Sequence, residues 1–221
     1  MEQRPPQFDE DTWAQLPSFF ENLPEQVRLH VWGDGQASPT EAEAIRLAQL
    51  LDRRFETIDH RILPRRINYA YYPVIGVFRL EDGVAVDHGV RLIGLPAGFQ
   101  LTSLIAAIQC VSFRGMTSEA RTRIQLSRLT EDVDIELLTS AEDEYGAVMA
   151  QAAFNMAVFA PSVRAFLIMS DTFPDALVRY SVNRLPHLVI NGRVHIEGLV
   201  DEQMLLEHIA VAIDSDESVD Q

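Results

Sequence analysis

Cysteine is almost absent from this sequence: its 221 residues contain one, Cys110. A single cysteine excludes an internal structural disulfide. It also excludes a Cys-x-x-Cys pair. Thiol-disulfide exchange needs a thiolate that attacks and a second thiol that resolves the mixed disulfide, and a hydroxyl with its much higher pKa cannot replace either. The sequence therefore argues against dithiol chemistry.

Lysine is absent as well, and all 18 basic residues are arginines. Against 33 acidic residues they leave a formal net charge of -15 and a pI near 4.7. Nucleic acids and anionic membranes bind densely positive surfaces, so this charge disfavours both as partners.

Other familiar signals are missing too. No basic and apolar leader opens the chain, and apolar runs such as residues 165–169 are far below membrane-spanning length, so we expect a cytoplasmic protein. Neither Gly-x-Gly-x-x-Gly nor Gly-x4-Gly-Lys-Ser/Thr occurs, and no two of the six histidines lie four residues apart. We therefore predict no cofactor and no metal site.

What the chain does contain is one pattern written twice, from Val27 to about Val111 and from Val133 to about Ile213. Each copy reads strand, turn, helix, strand, then a proline, two further strands and a glycine before a closing helix. The paired strands are separated by Asp82-Gly83 in the first copy and Asn191-Gly192 in the second, which are strong hairpin signals. The pattern predicts an α/β protein with two similar halves.

The predicted boundaries follow from this repeat. Residues 1–26 form an N-terminal tail and a helix, since apolar residues recur there at helical spacing. Residues 27–113 and 133–213 form the two halves, and 114–132 form a linker that we expect to be helical. Residues 214–221 are acidic and predict a disordered tail.

Two stretches resemble a known family. They are the run Gly89-Val90-Arg91-Leu92-Ile93-Gly94-Leu95-Pro96-Ala97-Gly98, and Tyr180 to Pro186 followed by Asn191-Gly192. They are similar to the tandem thioredoxin-fold, glutaredoxin-like protein disulfide oxidoreductases and to the N-terminal domain of the alkyl hydroperoxide reductase flavoprotein. The resemblance implies two tandem thioredoxin-like halves, each a mixed central sheet flanked by helices.

The resemblance also implies two sites. The family's proline before the third strand is cis and faces the cysteine pair, where backbone can pair with an extended peptide; the alternative is a trans proline at a strand edge. The implied groove residues are Tyr72, Pro73, Leu185, Pro186 and His187. The positions of the family's redox motifs fall on Ser38, Pro39, Thr40 and Glu41, and on Asp143, Glu144, Tyr145 and Gly146.

Local readings of these residues are less specific. The run from Ser38 to Glu41 is typical of a capping box that opens a helix, and the acidic residues 142–144 favour a helix N-terminus. Trp32 reads as core, whereas the tyrosines of the groove fit core packing and partner binding equally well. His187 fits either the core or the rim of the second groove.

These observations favour a redox-inactive thioredoxin-like protein that binds a protein or an extended peptide, with a basic partner favoured by the acidic window at 142–144. The alternative is a single-cysteine thiol-disulfide oxidoreductase using Cys110, although the C-terminal end of a helix raises a thiol pKa and a buried structural thiol fits better. A scaffold that forms homodimers is a third alternative. No catalytic residue is assigned other than this weak candidate.

Overall fold

Strands and helices alternate along the chain in the same order twice. A computed structural model describes residues 10–115 and 119–217, with side chains through residue 214. The elements up to the end of the first half are α1 (Glu10–Phe20), β1 (Val27–Trp32), α2 (Pro39–Arg54), β2 (Ile58–Leu63), β3 (Val74–Glu81), β4 (Val84–Ile93) and α3 (Gln100–Ser112). The remaining elements are α4 (Ala120–Leu126), β5 (Val133–Thr139), α5 (Glu144–Phe159), β6 (Val163–Met169), α6 (Pro174–Arg179), β7 (His187–Ile190), β8 (Val194–Glu197) and α7 (Glu202–Glu217).

The eight strands form one continuous mixed sheet in the order β2-β1-β3-β4-β6-β5-β7-β8. Each half supplies four neighbouring strands with the same connectivity. The halves join where β4 pairs in parallel with β6, from Val90 opposite Ala165 to Ile93 opposite Ile168. The two expected sheets are therefore merged edge to edge, and the two hairpin turns have the left-handed backbone expected of them, at Asp82-Gly83 and Asn191-Gly192.

One face of the sheet carries the main core. Val90 and Leu92 of β4 and Ala165 and Leu167 of β6 point to this face and are buried together with the apolar sides of α1, α2, α3, α5 and α7. Helices α3 and α5 pack against each other across the junction of the halves. Burial of each large aliphatic side chain contributes about 1.5–3 kcal/mol, so this shared core holds the halves together.

The other face is covered less completely. In the second half the short helix α6 lies between β6 and β7, whereas residues 64–73 of the first half connect β2 to β3 without a helix. A smaller cluster that includes Trp32, Phe78 and Ile168 packs here. Polar and charged residues of the central strands consequently remain beneath a thin cover.

Three element boundaries differ from the sequence expectation. Helix α5 begins at Glu144, three residues before the expected Ala147, because the Asp143 side chain caps it. Helix α7 extends to Glu217 and so includes the first residues of the expected disordered tail, while residues 218–221 lie outside the described part. The expected disorder of residues 1–8 also falls outside it, and the expected linker contains helix α4. Within residues 10–115 and 119–217, no helix is both long and apolar enough to cross a membrane.

Candidate functional site

Both sets of predicted redox-motif positions lie at the start of a helix that follows the first strand of its half. Ser38 is the N-cap of α2, and its hydroxyl accepts a hydrogen bond from the backbone N–H of Glu41 at 3.2 Å. Asp143 is the N-cap of α5, and its carboxylate accepts from the backbone N–H of Gly146 at 3.0 Å. Capping is thus the structural role of both residues, as helix N-termini with unpaired N–H groups require.

In the first half, a buried carboxylate holds this position closed. Glu41 is 1% exposed. Its carboxylate accepts from the backbone N–H of Asp34 at 2.7 Å, from the hydroxyl of Ser38 at 3.0 Å and from Nε of Arg65 at 3.0 Å. The Arg65 guanidinium in turn lies 5.2 Å from the ring of Tyr72. We call Glu41, Arg65 and Tyr72 the first-half plug.

The pKa of Glu41 reflects this pairing. Burial acts to raise the pKa, but the hydrogen bonds from Arg65, from the Asp34 backbone and from Ser38 outweigh it, so the pKa is lowered from its ordinary value of 4.5. Glu41 is therefore charged at neutral pH and fully partnered. A group in that state is suited to holding structure and has no lone pair left for general-base chemistry.

In the second half, a network of neutral and charged hydrogen bonds surrounds the start of α5. The hydroxyl of Thr139 donates to the Asp143 carboxylate at 2.9 Å. The amide of Gln100, which is fully buried, donates to the backbone oxygens of Ser140 at 3.0 Å and Asp143 at 2.8 Å. Ser103 donates to the other end of the Gln100 amide at 2.7 Å. This network ties α3 of the first half to the start of α5.

Gly146 occupies the last of the four motif positions in the second half. A Cβ atom built there would lie 1.9 Å from Oγ1 of Thr139 and 2.9 Å from a carboxylate oxygen of Asp143. Real Cβ atoms essentially never come within 3.0 Å of such neighbours. The position that carries a thiol in the redox family therefore has no room for any side chain in this chain.

Both predicted cis peptide bonds are present, at Tyr72-Pro73 and Leu185-Pro186. The two prolines are buried and equivalent in the repeat: the Pro73 carbonyl accepts from the N–H of Gly94 at 2.8 Å, and the Pro186 carbonyl accepts from the N–H of Gly198 at 2.8 Å. The expectation of a cis conformation is confirmed for each.

The structure separates the other predicted groove residues. His187 is 3% exposed, and its Nε2 lies 2.9 Å from Nδ1 of His195. Burial first and His195 second lower the His187 pKa. Of the two alternatives left open for this histidine, core packing is the one observed. Leu185 and Tyr72 are partly buried.

Of the aromatic residues weighed as a rim, Trp32 is core, at 1% exposed, while Tyr145 is 57% exposed. Three further exposed apolar side chains lie on segments next to the start of α5. Val148 is one turn along the helix, the backbone N–H of Phe99 donates to the Ala141 carbonyl at 2.9 Å, and Leu199 precedes Val200, whose N–H contacts the sulfur of Met149 at 3.4 Å. We call Phe99, Tyr145, Val148 and Leu199, which are 40–60% exposed, the second-half apolar surface. Sequence reasoning found only Tyr145, since α5 is apolar on most sides and its exposed stripe cannot be read from periodicity.

Cys110 lies inside α3 and is 2% exposed. Burial raises the pKa of its thiol to about 12. Because a thiolate is the reactive form, this position is chemically quiet at neutral pH.

One group of residues has the composition of a cation site. Donor atoms of Asp52, Asp59 and His60 lie within 4.8 Å of one another. Asp59 already accepts from Nε of Arg28 at 2.7 Å, and His60 Nδ1 lies 2.5 Å from Asp52. These side chains thus satisfy each other and a neighbouring arginine, and the prediction of no metal stays a prediction.

Solved structures with the same architecture extend over nearly the whole chain. The NTD_N/C domain of alkyl hydroperoxide reductase AhpF from Enterococcus faecalis matches with a TM-score of 0.81 and 20% identity, covering 91% of this chain and 99% of that one. The protein disulfide oxidoreductase from Aeropyrum pernix matches with a TM-score of 0.79 and 19% identity, covering 91% of each chain. The chain has a tandem thioredoxin-like fold. At this level of identity the likeness establishes the fold and leaves the chemistry to the site.

Curated relatives share only part of their length with this chain. The alkyl hydroperoxide reductase protein AhpF from Pseudomonas putida is 29% identical over 129 residues, which is 58% of this chain and 24% of the relative. The Escherichia coli protein of the same name is 22% identical over 209 residues, 94% of this chain and 37% of the relative. A protein named NADH dehydrogenase from Ferdinandcohnia aciditolerans is 23% identical over 165 residues, 75% of this chain and 31% of the relative. No protein-family model matches the chain.

Proposed function

We propose that this protein uses a thioredoxin-like fold to bind another protein without performing thiol chemistry. The observation that carries the proposal is the state of the two helix starts where the fold places a dithiol in redox members. One is filled by the buried Glu41 and its partners, and the other has a glycine with no space for a side chain. Neither position could be used for disulfide exchange, and the remaining thiol, Cys110, is buried.

The binding surface that we propose is in the second half. The first-half plug occupies the corresponding place in the other half, whereas the second-half apolar surface leaves four large apolar side chains in solvent. Exposed aromatic and aliphatic groups that cluster beside a groove are typical of partner surfaces, and tyrosine is enriched among the residues that dominate binding energy. An extended segment of a partner, placed by the backbone near Pro186, fits this surface.

Charge narrows the chemistry of the partner. Glu142 and Glu144 are exposed on either side of the Asp143 cap. They adjoin Tyr145, so an extended segment with apolar anchors and a nearby lysine or arginine is the complementary ligand. Such binding weakens as the salt concentration rises, because exposed charge pairs are screened.

The experiment is selection from a library of random 12-residue peptides displayed on phage, followed by fluorescence polarisation of the selected peptides with the purified chain. We expect enrichment of peptides with apolar and basic residues. The Tyr145→Ala variant should bind them at least about tenfold more weakly, the scale of a strong interface residue. The matched control is Val84→Ala, which removes a 66% exposed apolar side chain from the β3–β4 turn.

Two results would overturn the proposal. One is a selection that yields no peptide above background. The other is a set of peptides that bind Tyr145→Ala and the unmodified chain equally well, which would move the binding surface elsewhere.

A further inference from the structure

A cavity of about 480 Å³ lies on the thinly covered face of the sheet, at the junction of the two halves. Its floor is made of β4, β6 and β5, whose outward-pointing residues are those that alternate with the main core, such as Ile93, Phe166 and Ile168. Its walls come from the connection at residues 66–71 and from the end of α6. None of the redox-motif positions lines it, and neither cis proline does, so this cavity is separate from the site described above.

The cover over the cavity is built from both halves. The ring of Tyr71, in the connection between β2 and β3, stacks on the ring of Phe173 at the start of α6, with centroids 4.8 Å apart. The strand floor joins the halves through backbone pairing of β4 with β6. A molecule in the cavity would therefore contact both halves at once.

Four arginines and three carboxylates line this space. Arg91 is 8% exposed and donates to the Asp87 carboxylate at 2.9 Å and to the hydroxyl of Tyr69 at 2.9 Å. Arg164 pairs with both oxygens of Asp134, at 2.6 and 2.8 Å. Two of the four cations are thus neutralised within the cavity itself.

The other two arginines, Arg66 and Arg179, make no ion pair within the part of the chain that the structure describes. Their guanidinium groups lie over aromatic rings, Arg66 at 5.0 Å from Trp32 and Arg179 at 5.0 Å from Tyr180. The third carboxylate, Glu136, accepts from the Tyr180 hydroxyl, and its burial raises the Glu136 pKa. The cavity therefore has an excess of positive charge in a chain whose net charge is -15.

These features define one class of ligand. Exposed arginine forks bind carboxylates and phosphates through paired hydrogen bonds, and arginines that rest on rings are already oriented to do so. Tyrosine and phenylalanine rings along the walls offer faces for a planar group. The volume is that of a small-molecule site. We propose that this cavity binds a small organic anion with an aromatic ring, its carboxylate or phosphate held by Arg66 and Arg179.

Isothermal titration calorimetry on the full chain tests this, with phenyl phosphate and benzoate as the ring-bearing probes and inorganic phosphate and phenol as the separate parts. We expect saturable binding of a ring-bearing anion and weaker binding of either part alone. The preference between phenyl phosphate and benzoate decides which anionic group the site takes. Arg66→Gln and Arg179→Gln should each weaken binding by about tenfold, which corresponds to one charge-assisted hydrogen bond.

The matched control is Arg128→Gln, which removes an exposed arginine that does not line the cavity. Because Arg66 and Arg179 are also exposed, their variants should melt at the temperature of the unmodified chain, and a melting curve checks this. The proposal is overturned if no probe binds at millimolar concentration. It is equally overturned if Arg128→Gln weakens binding as much as the cavity variants do, since that would reflect charge attraction without a site.

Discussion

The hydroxyl of Thr139 occupies the space that a side chain at Gly146 would need, with 1.9 Å between Oγ1 and the position of a Cβ atom. This relationship joins the last residue of β5 to the first turn of α5. It places a steric requirement at the position where the redox family has its second cysteine.

Replacement of Gly146 should therefore destabilise the fold although alanine is the better helix former. We expect Gly146→Ala to lower the free energy of unfolding by about 1–3 kcal/mol, the usual range for overpacking a core. Adding Thr139→Ala should recover part of the loss, because the closest contact is removed while the Thr139 Cβ remains at 2.9 Å. Urea denaturation of both variants measures this. Gly35→Ala, where the nearest side-chain atom lies at 3.5 Å, is the control and should change stability little. Additive effects of the two substitutions would contradict the steric account.

The first-half plug predicts a pH-dependent contribution to stability. The folded pKa of Glu41 is lowered, so its stabilisation is complete above the ordinary value of 4.5 and is lost as the pH falls through the folded value. At pH 7, Glu41→Gln should reduce the free energy of unfolding by about 1–3 kcal/mol, as loss of a buried charged hydrogen-bond acceptor does. The gap to the unmodified chain should shrink on acidification below pH 4.5. Glu43→Gln, on the same helix, alters a partly exposed pair and should change stability by less than about 0.5 kcal/mol. A gap that stays constant with pH would contradict the assignment.

His30 should destabilise the fold in acid. Burial first, and then Arg28, Arg61 and Arg91, lower its pKa from 6.5 to about 4. The unfolded chain binds the proton more tightly, so stability is retained above pH 6.5 and falls as the pH drops from there towards 4. His30→Gln should show a shallower loss over this interval in urea denaturation at several pH values. Parallel curves for the variant and the unmodified chain would show that His30 does not carry the effect.

Cys110 should resist modification until the chain unfolds. With a pKa of about 12, roughly one thiol in 10⁵ is ionised at pH 7, and the side chain is buried as well. Reaction with Ellman's reagent should be slow under native conditions and immediate for one thiol per chain in denaturant. Fast native modification would revive the single-cysteine oxidoreductase alternative.

The repeat, the hairpins and the two prolines were readable from sequence because each depends on local chemistry. Asp82-Gly83 and Asn191-Gly192 specify left-handed turns, and the run from Ser38 specifies a cap. The early start of α5 was missed because one side-chain hydrogen bond of Asp143 sets it.

The site was less predictable, because it depends on contacts between distant segments. The role of Glu41 depends on Arg65, 24 residues away, and the network at α5 depends on Gln100, 39 residues before Thr139. The crowding at Gly146 needs the register of β5 against α5. Such relationships exist only once the strands are in place, and no periodicity in the sequence carries them.

The central claim, a thioredoxin-like fold that binds without exchanging disulfides, is tested most directly by reduction of insulin disulfides with dithiothreitol at pH 7. The account predicts that the chain leaves the rate at the uncatalysed background, and that Cys110→Ser behaves identically. Sustained catalysis by the purified chain, abolished in Cys110→Ser, would contradict it.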